Sequence, residues 1–124
     1  MSLEEFRTYC ILKKGVTEGF PFDESTLVFK VMGKMFALVS LERKPPQANV
    51  KCDPELAIQL REEYDGLVIP GYHMSKKHWN TIFLEQLPTA FIHEQIDHSY
   101  DLVVDGLTKK VKEALKTYHS ITNL

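Results

Sequence analysis

The string Tyr72-His73-Met74-Ser75-Lys76-Lys77-His78-Trp79-Asn80 concentrates more chemistry than any other stretch of this 124-residue chain. Lysine ammonium groups neutralise phosphates, aromatic rings stack on unpaired bases, and an asparagine amide can read a base edge. Lys76 and Lys77 are therefore candidates for phosphate contact. Tyr72, His73, His78 and Asn80 are candidates for orientation or base contact. Lys30, Lys34 and Lys51 could extend the basic surface. A competing use of the stretch is a pocket for a small molecule or a protein segment, with residues 71–79, Trp79 among them, set against Cys52 and Tyr64.

Other reactive side chains offer less. Cys52 is followed by Asp53, and a neighbouring carboxylate raises a thiol's pKa instead of stabilising the thiolate. Asp53 itself reads as a helix cap. An enzyme built on Asp53, His73 or His78 would need two of them within hydrogen-bond reach in a cleft. His93 and His98 lie five apart on a helical pattern, about 140° out of register, which is poor geometry for one metal. The acids Glu94, Asp97, Asp101 and Asp105 are framed by no twelve-residue calcium loop. No glycine-rich phosphate loop, GxSxG or HExxH string occurs. No residue is assigned to catalysis, to a metal or to a cofactor, and the expectation is a non-enzymatic binding domain.

The elements that must position these residues follow from patterning. Ser2 and Glu5 form a capping box for a first helix, with Phe6, Tyr9 and Cys10 on one face and Gly15 as its stop. Residues 26–41 read as a hairpin, with Leu27, Phe29 and Val31 alternating on one strand and Met35, Ala37, Val39 and Leu41 on the other. Gly33-Lys34 fits a type II′ turn. Residues 48–52 read as a third strand. Asp53-Pro54 starts a helix that Asp65-Gly66 closes. Residues 68–71 form a brief extended piece and a turn, and 78–84 a fourth strand. Pro88-Thr89 opens a long helix carrying Ile92, Ile96, Ser99 and Val103. Thr108 caps a last one. The order α-β-β-β-α-β-α-α predicts an α+β domain, an antiparallel sheet with helices packed on one face.

Charge placement decides how the lysines are read. Lys plus Arg is 15 and Asp plus Glu is 17, a formal net charge of −2. That total does not advertise a nucleic-acid partner. Its distribution does more, because residues 26–84 carry +2, residues 85–105 carry −5 and residues 106–124 carry +3. A local basic patch can hold phosphate against a mildly acidic whole.

Length and composition describe a single domain over residues 1–124, rich enough in Phe and Tyr to require a packed core. The apolar runs are strand-sized, well short of the roughly 20 residues of a membrane span. The N-terminus lacks the basic-then-apolar pattern of a secretory signal. Two cysteines without metal spacing fit a reduced, cytoplasmic protein.

The strings GVTEGFPF at 15–22, TLVFKVMGKMFALVSL at 26–41, NVKCDPELAIQLREEYDG at 49–66 and VIPGYHMSKKHWNTIFLE at 68–85, followed by Ile96-Asp97-His98-Ser99-Tyr100, resemble the MmcQ/YjbR family of small bacterial proteins. The resemblance covers almost the whole chain. It implies a CyaY-like fold, an α-β-α sandwich on an antiparallel sheet, close in outline to frataxin. It also implies DNA binding through two winglike β elements. Carried onto this chain, one wing is the hairpin around Gly33-Lys34 and the other lies near residues 72–80. An iron role of the frataxin kind is not expected, since the first helix offers only Glu4 and Glu5 beside Arg7.

Overall fold

The computed structural model describes residues 1–71 and 74–118. The capping box forms at the start of α1 (Leu3–Ile11): the Ser2 hydroxyl accepts from the Glu5 amide and the Glu5 carboxylate from the Ser2 amide. Phe6 and Cys10, four apart, are its buried face. Four strands follow: β1 (Val16–Gly19), β2 (Thr26–Val31), β3 (Lys34–Ser40) and β4 (Gln47–Lys51). Asp53 caps α2 (Pro54–Glu63), accepting from the Leu56 amide, with Pro54 in the first turn. Then come β5 (Val68–Pro70), β6 (Trp79–Phe83), α3 (Thr89–Asp105) and α4 (Lys109–Lys116). Thr108 caps α4 through its hydroxyl, and Gly106 ends α3.

The six strands form one fully antiparallel sheet in the order β1-β2-β3-β4-β6-β5. Two of them are additions to the expected element order. β1 lies between the helix stop at Gly15 and the hairpin, where no strand was expected, and its four residues gain strand form by pairing with β2. β5 is the brief extended piece, recruited as an edge strand where Pro70 withholds no ladder bond. The hairpin turn also differs from expectation. Met32 and Gly33 are its central residues, with φ of 50° and 84°, and Val31 pairs with Lys34. Two positive φ values belong to a type I′ turn, in which Gly takes the second position instead of the first.

One bulge reorganises β3. Phe29 pairs with Ala37 but Lys30 pairs with Met35, so Phe36 is the extra residue. Phe36 thereby joins Ala37 in the core, fully buried, while Met35 turns to the opposite side. Simple alternation had grouped Met35 with Ala37 and Val39. The row Leu27, Val39, Ala48, Ile82 and Val68 and the row Phe29, Ala37, Val50 and Asn80 face the helices. Over them lie α1 against β1, α3 across β2, β3 and β4, and α2 against β5. Burying Phe6, Phe29 and Phe36 there is worth on the order of 2 kcal/mol each. The described helices all cover this one side, so the domain has two layers and not the three of a sandwich.

Residues 20–25 lead out over the uncovered side. The Asp23 carboxylate braces them by accepting from the Ser25 amide (2.9 Å), the Thr26 amide (2.7 Å) and the Thr26 hydroxyl (3.1 Å). These bonds hold its pKa below the usual aspartate value. A lowered folded value means the brace is complete above the ordinary aspartate range and is lost as pH falls below that range, through the lowered folded value. Amide hydrogen exchange is expected to quicken at Ser25 and Thr26 on acidification, beyond its intrinsic pH dependence, and Asp23→Ala should show that faster exchange at neutral pH.

Candidate nucleic-acid interface

The basic segments named from sequence converge on one end of the sheet. The β2–β3 turn brings Lys34 there, and Lys34 and Lys51 line one shallow cleft of about 210 Å³ with the C-terminal part of α3. Lys51 pairs with Trp79, and the Cys52 amide donates to the His78 carbonyl at 2.8 Å. The turn carrying Lys76, Lys77 and His78 therefore emerges at the same end, all three exposed. Hairpin strand β3 and strand β6 are separated only by β4, about 10 Å in all. Lys30 lies on the uncovered side of β2, opposite Met35 near this end.

The last helix adds charge that sequence did not place. Leu115 of α4 is buried against Gly15 and beside Met32: a Cβ on Gly15 would sit 2.4 Å from the Leu115 Cδ1 and 3.3 Å from the Met32 sulfur. The Lys14 ammonium donates to the Lys116 carbonyl at 3.0 Å. Thus the C-terminal turn of α4 packs beside the hairpin turn at Met32. The sequence signal available was only the helix's own charge, not its docking partner.

Arg61 holds the Lys76–Lys77 turn in place. Its Nε donates to the Asn80 Oδ1 at 2.8 Å, and its Nη2 to the Lys76 and Trp79 carbonyls. Asn80 is fully buried on the helix side, and its Nδ2 has no partner among the described residues. This corrects its assignment as a base reader: it is the anchor of the turn, because its strand position faces the core. Tyr72 and His73 lie outside the described residues.

Of the residues expected to line a pocket, Cys52, Tyr64 and Trp79 are engaged in packing, and Tyr72 and His73 lie outside the described residues. Cys52 is 1 % exposed, and Tyr64 lies against Phe91 with ring centroids 4.3 Å apart. Trp79 is buried and, by alternation with Asn80, faces the other side of the sheet from them. A Cβ on Gly71 would come within 2.7 Å of the Trp79 Cβ and 3.1 Å of its carbonyl oxygen, so the two strands approach too closely there for a larger residue. Burial, and then Asp53, push the Cys52 thiol up to about 11, so it stays protonated at neutral pH.

The histidines and acids of α3 have separate tasks. His93 stacks on Tyr9 at 3.8 Å, and Tyr9 donates to both Asp97 oxygens, at 2.8 and 3.0 Å. Lys13 closes on Asp97 at 2.5 Å. Burial and then Asp97 push the Tyr9 hydroxyl up to about 12. His98 points elsewhere, accepting at Nε2 from the Asp53 amide at 3.1 Å. These groups bind α3 to α1 and to the start of α2.

The family model YjbR matches residues 12–102. The chain belongs to the YjbR family. It is similar to YbdF of Escherichia coli O157:H7, 38% identical over 98 residues, covering 78% of this chain and 80% of that protein. YjbR of Escherichia coli K12 is 32% identical over 116 residues, 93% of this chain and 98% of its own. Among solved structures, the Deinococcus radiodurans protein DR2400 superposes with a TM-score of 0.86 at 36% identity, over 97% of this chain and 91% of that one. A Pseudomonas syringae protein gives 0.70 at 27% identity, over 82% and 98%. The antiparallel sheet with one helical side is thus the YjbR-family fold. No described helix is long and apolar enough to cross a membrane.

Proposed function

We propose that this YjbR-family domain binds nucleic acid through the phosphate backbone, with the lysine-bearing end of the sheet as its contact surface. One observation supports the reading above others. Four basic segments far apart in sequence meet at one end: the β2–β3 turn, the end of β4, the 76–78 turn and α4. Lys34, Lys51, Lys76, Lys77, Lys109 and Lys110 are the proposed phosphate contacts, with Lys30 and His78 beside them. Four of the five acids of residues 85–105 lie on α3, which carries no lysine or arginine. Separation of charge along the chain is one way a net-acidic protein can attract a polyanion locally.

The affinity is governed by salt and not by base sequence. Fluorescence anisotropy with a 20-base-pair duplex and a single-stranded oligonucleotide, titrated across salt, tests the reading. Lys76→Ala with Lys77→Ala is expected to weaken binding to every DNA sequence alike and to reduce the log–log salt slope by roughly 1 to 2. Unchanged binding would remove this turn from the interface. Absence of measurable affinity for either nucleic acid at low salt would sink the proposal as a whole.

A further inference from the structure

The uncovered side of the sheet carries a cavity of about 610 Å³ between residues 20–25 and Met74. Small-molecule sites occupy roughly 300–1,000 Å³. Its floor is β3 and β4, through Met35, Leu38, Gln47 and Asn49. Met35 reaches it because the bulge at Phe36 turns it away from the core. The cavity adjoins the lysine-bearing end. Met35 also lines the cleft of Lys34 and Lys51, and Lys30 pairs with Met35 across the hairpin. Asn49 and Lys51 are two apart on β4, so by alternation they stand on one side of the sheet, about 7 Å apart along the strand.

The lining suits a flat, uncharged ring. Met35 and Met74 are thioethers, which make favourable contacts with aromatic groups and adapt to their outline. Phe22 stands at the rim with 67 % of its surface exposed, a face on which a ring can stack. The Leu41 amide donates to the Ser25 carbonyl at 2.8 Å and, with the Asp23 bonds, holds the loop that carries Phe22. Asp23 and Arg43 bring one formal charge of each sign, so the lining is neutral in sum.

The amides of the floor suit the edge of a base. Asn49 accepts at Oδ1 from the Thr81 hydroxyl at 2.6 Å, which sets the orientation of its amide. Its Nδ2 meets the Met74 sulfur at 3.6 Å, a weak acceptor that a ring oxygen or nitrogen would outcompete. Gln47 donates at Nε2 to the Pro45 carbonyl at 3.2 Å, and its Oε1 is an acceptor. A donor and an acceptor on one side of one strand match the Watson–Crick edge of any nucleobase, which carries both.

We infer that this cavity receives an unpaired nucleobase of a single strand, its ring against Phe22, Met35 and Met74 and its edge between Asn49 and Gln47, while the flanking phosphates lie on Lys30, Lys34 and Lys51. The inference rests on the nucleic-acid reading above and adds to it a preference for single strands, because a base within a duplex must first be unstacked and unpaired.

Oligothymidine and an abasic deoxyribose-phosphate strand of equal length carry the same phosphates and differ only in the bases. Oligothymidine is expected to bind at least tenfold more tightly, at the same salt slope, and to give saturable methyl shifts at Met35 and Met74 that the abasic strand does not produce. Phe22→Ala, on an exposed loop, should cost oligothymidine about tenfold and leave the abasic strand unchanged. Leu38→Trp should fill the cavity and reduce oligothymidine to the abasic affinity. Its thermal midpoint reports whether it folds, and Phe22→Ala decides if it does not. Equal affinity for the two strands, indifference to Phe22→Ala, or methyl shifts that are absent or fall elsewhere, with salt-dependent binding retained, would overturn the base site and leave the phosphate reading standing. No affinity for either strand at low salt would overturn both.

Discussion

Ser99→Ala is expected to destabilise the domain by about 3 kcal/mol, read as a lower urea midpoint at unchanged slope and a thermal midpoint lower by roughly 10 °C. The Ser99 side chain sits fully buried in the middle of α3. Its hydroxyl donates to the Phe36 carbonyl at 2.5 Å and accepts from the Lys51 amide at 2.8 Å. Those are the backbone groups stranded where the bulge parts β3 from β4, just beyond the Ala37–Val50 pair. Alanine removes one small oxygen and leaves a buried donor and a buried acceptor unmatched. The cost is that of two orphaned groups, not of one ordinary hydrogen bond. A loss below about 1 kcal/mol would mean that water reaches both groups and that the bulge needs no clamp.

Arg61→Ala is expected to cost a similar amount, about 3 kcal/mol, and to weaken nucleic-acid binding as well. Arg61 is not itself a proposed phosphate contact; it acts on the backbone that carries them. It fixes the carbonyls of Lys76 and Trp79 and the buried Asn80 side chain. Without it Asn80 keeps a fully buried amide with neither end satisfied, and the turn loses its tether to α2. Its effect on DNA should therefore differ in kind from that of the lysine variants. Affinity should fall because the turn is no longer held in position, while the salt slope changes less than in the Lys76, Lys77 double variant, which removes two charged contacts. Arg61→Lys should restore little, since one ammonium cannot replace a planar fork serving three oxygens. If Arg61→Ala lowered stability and left binding untouched, the turn would not be part of the interface.

Much of this arrangement is legible in local patterns. The capping box at Ser2 and Glu5, the Asp53-Pro54 helix start and the Thr108 cap are short-range chemistry, complete within four residues, and all three form as read. The hairpin, its partner strand at residues 47–51 and the long α3 follow from hydrophobic period. The bulge does not. Nothing in KMFALVS distinguishes regular alternation from one inserted residue, because the choice depends on Phe36 finding room against Tyr100, whose ring meets it edge-on at 5.5 Å. β1 was hidden for a related reason: VTEG has no alternation of its own, and only β2 makes it a strand.

The candidate surface divides in the same way. The sequence alone determined which segments carry positive charge, that residues 85–105 carry none, and that the chain folds as an antiparallel sheet under helices. Charge and hydrophobic period are properties of a residue and its near neighbours. Only the tertiary structure decided that four basic segments share one end of the sheet. It also decided that Asn80 faces inward to Arg61, that Cys52 and Trp79 stand on opposite sides, and that Met35 lines a cavity instead of the core. Each depends on strand order and register, set by contacts between residues tens of positions apart. A one-residue shift in pairing reverses the side of the sheet on which a side chain stands.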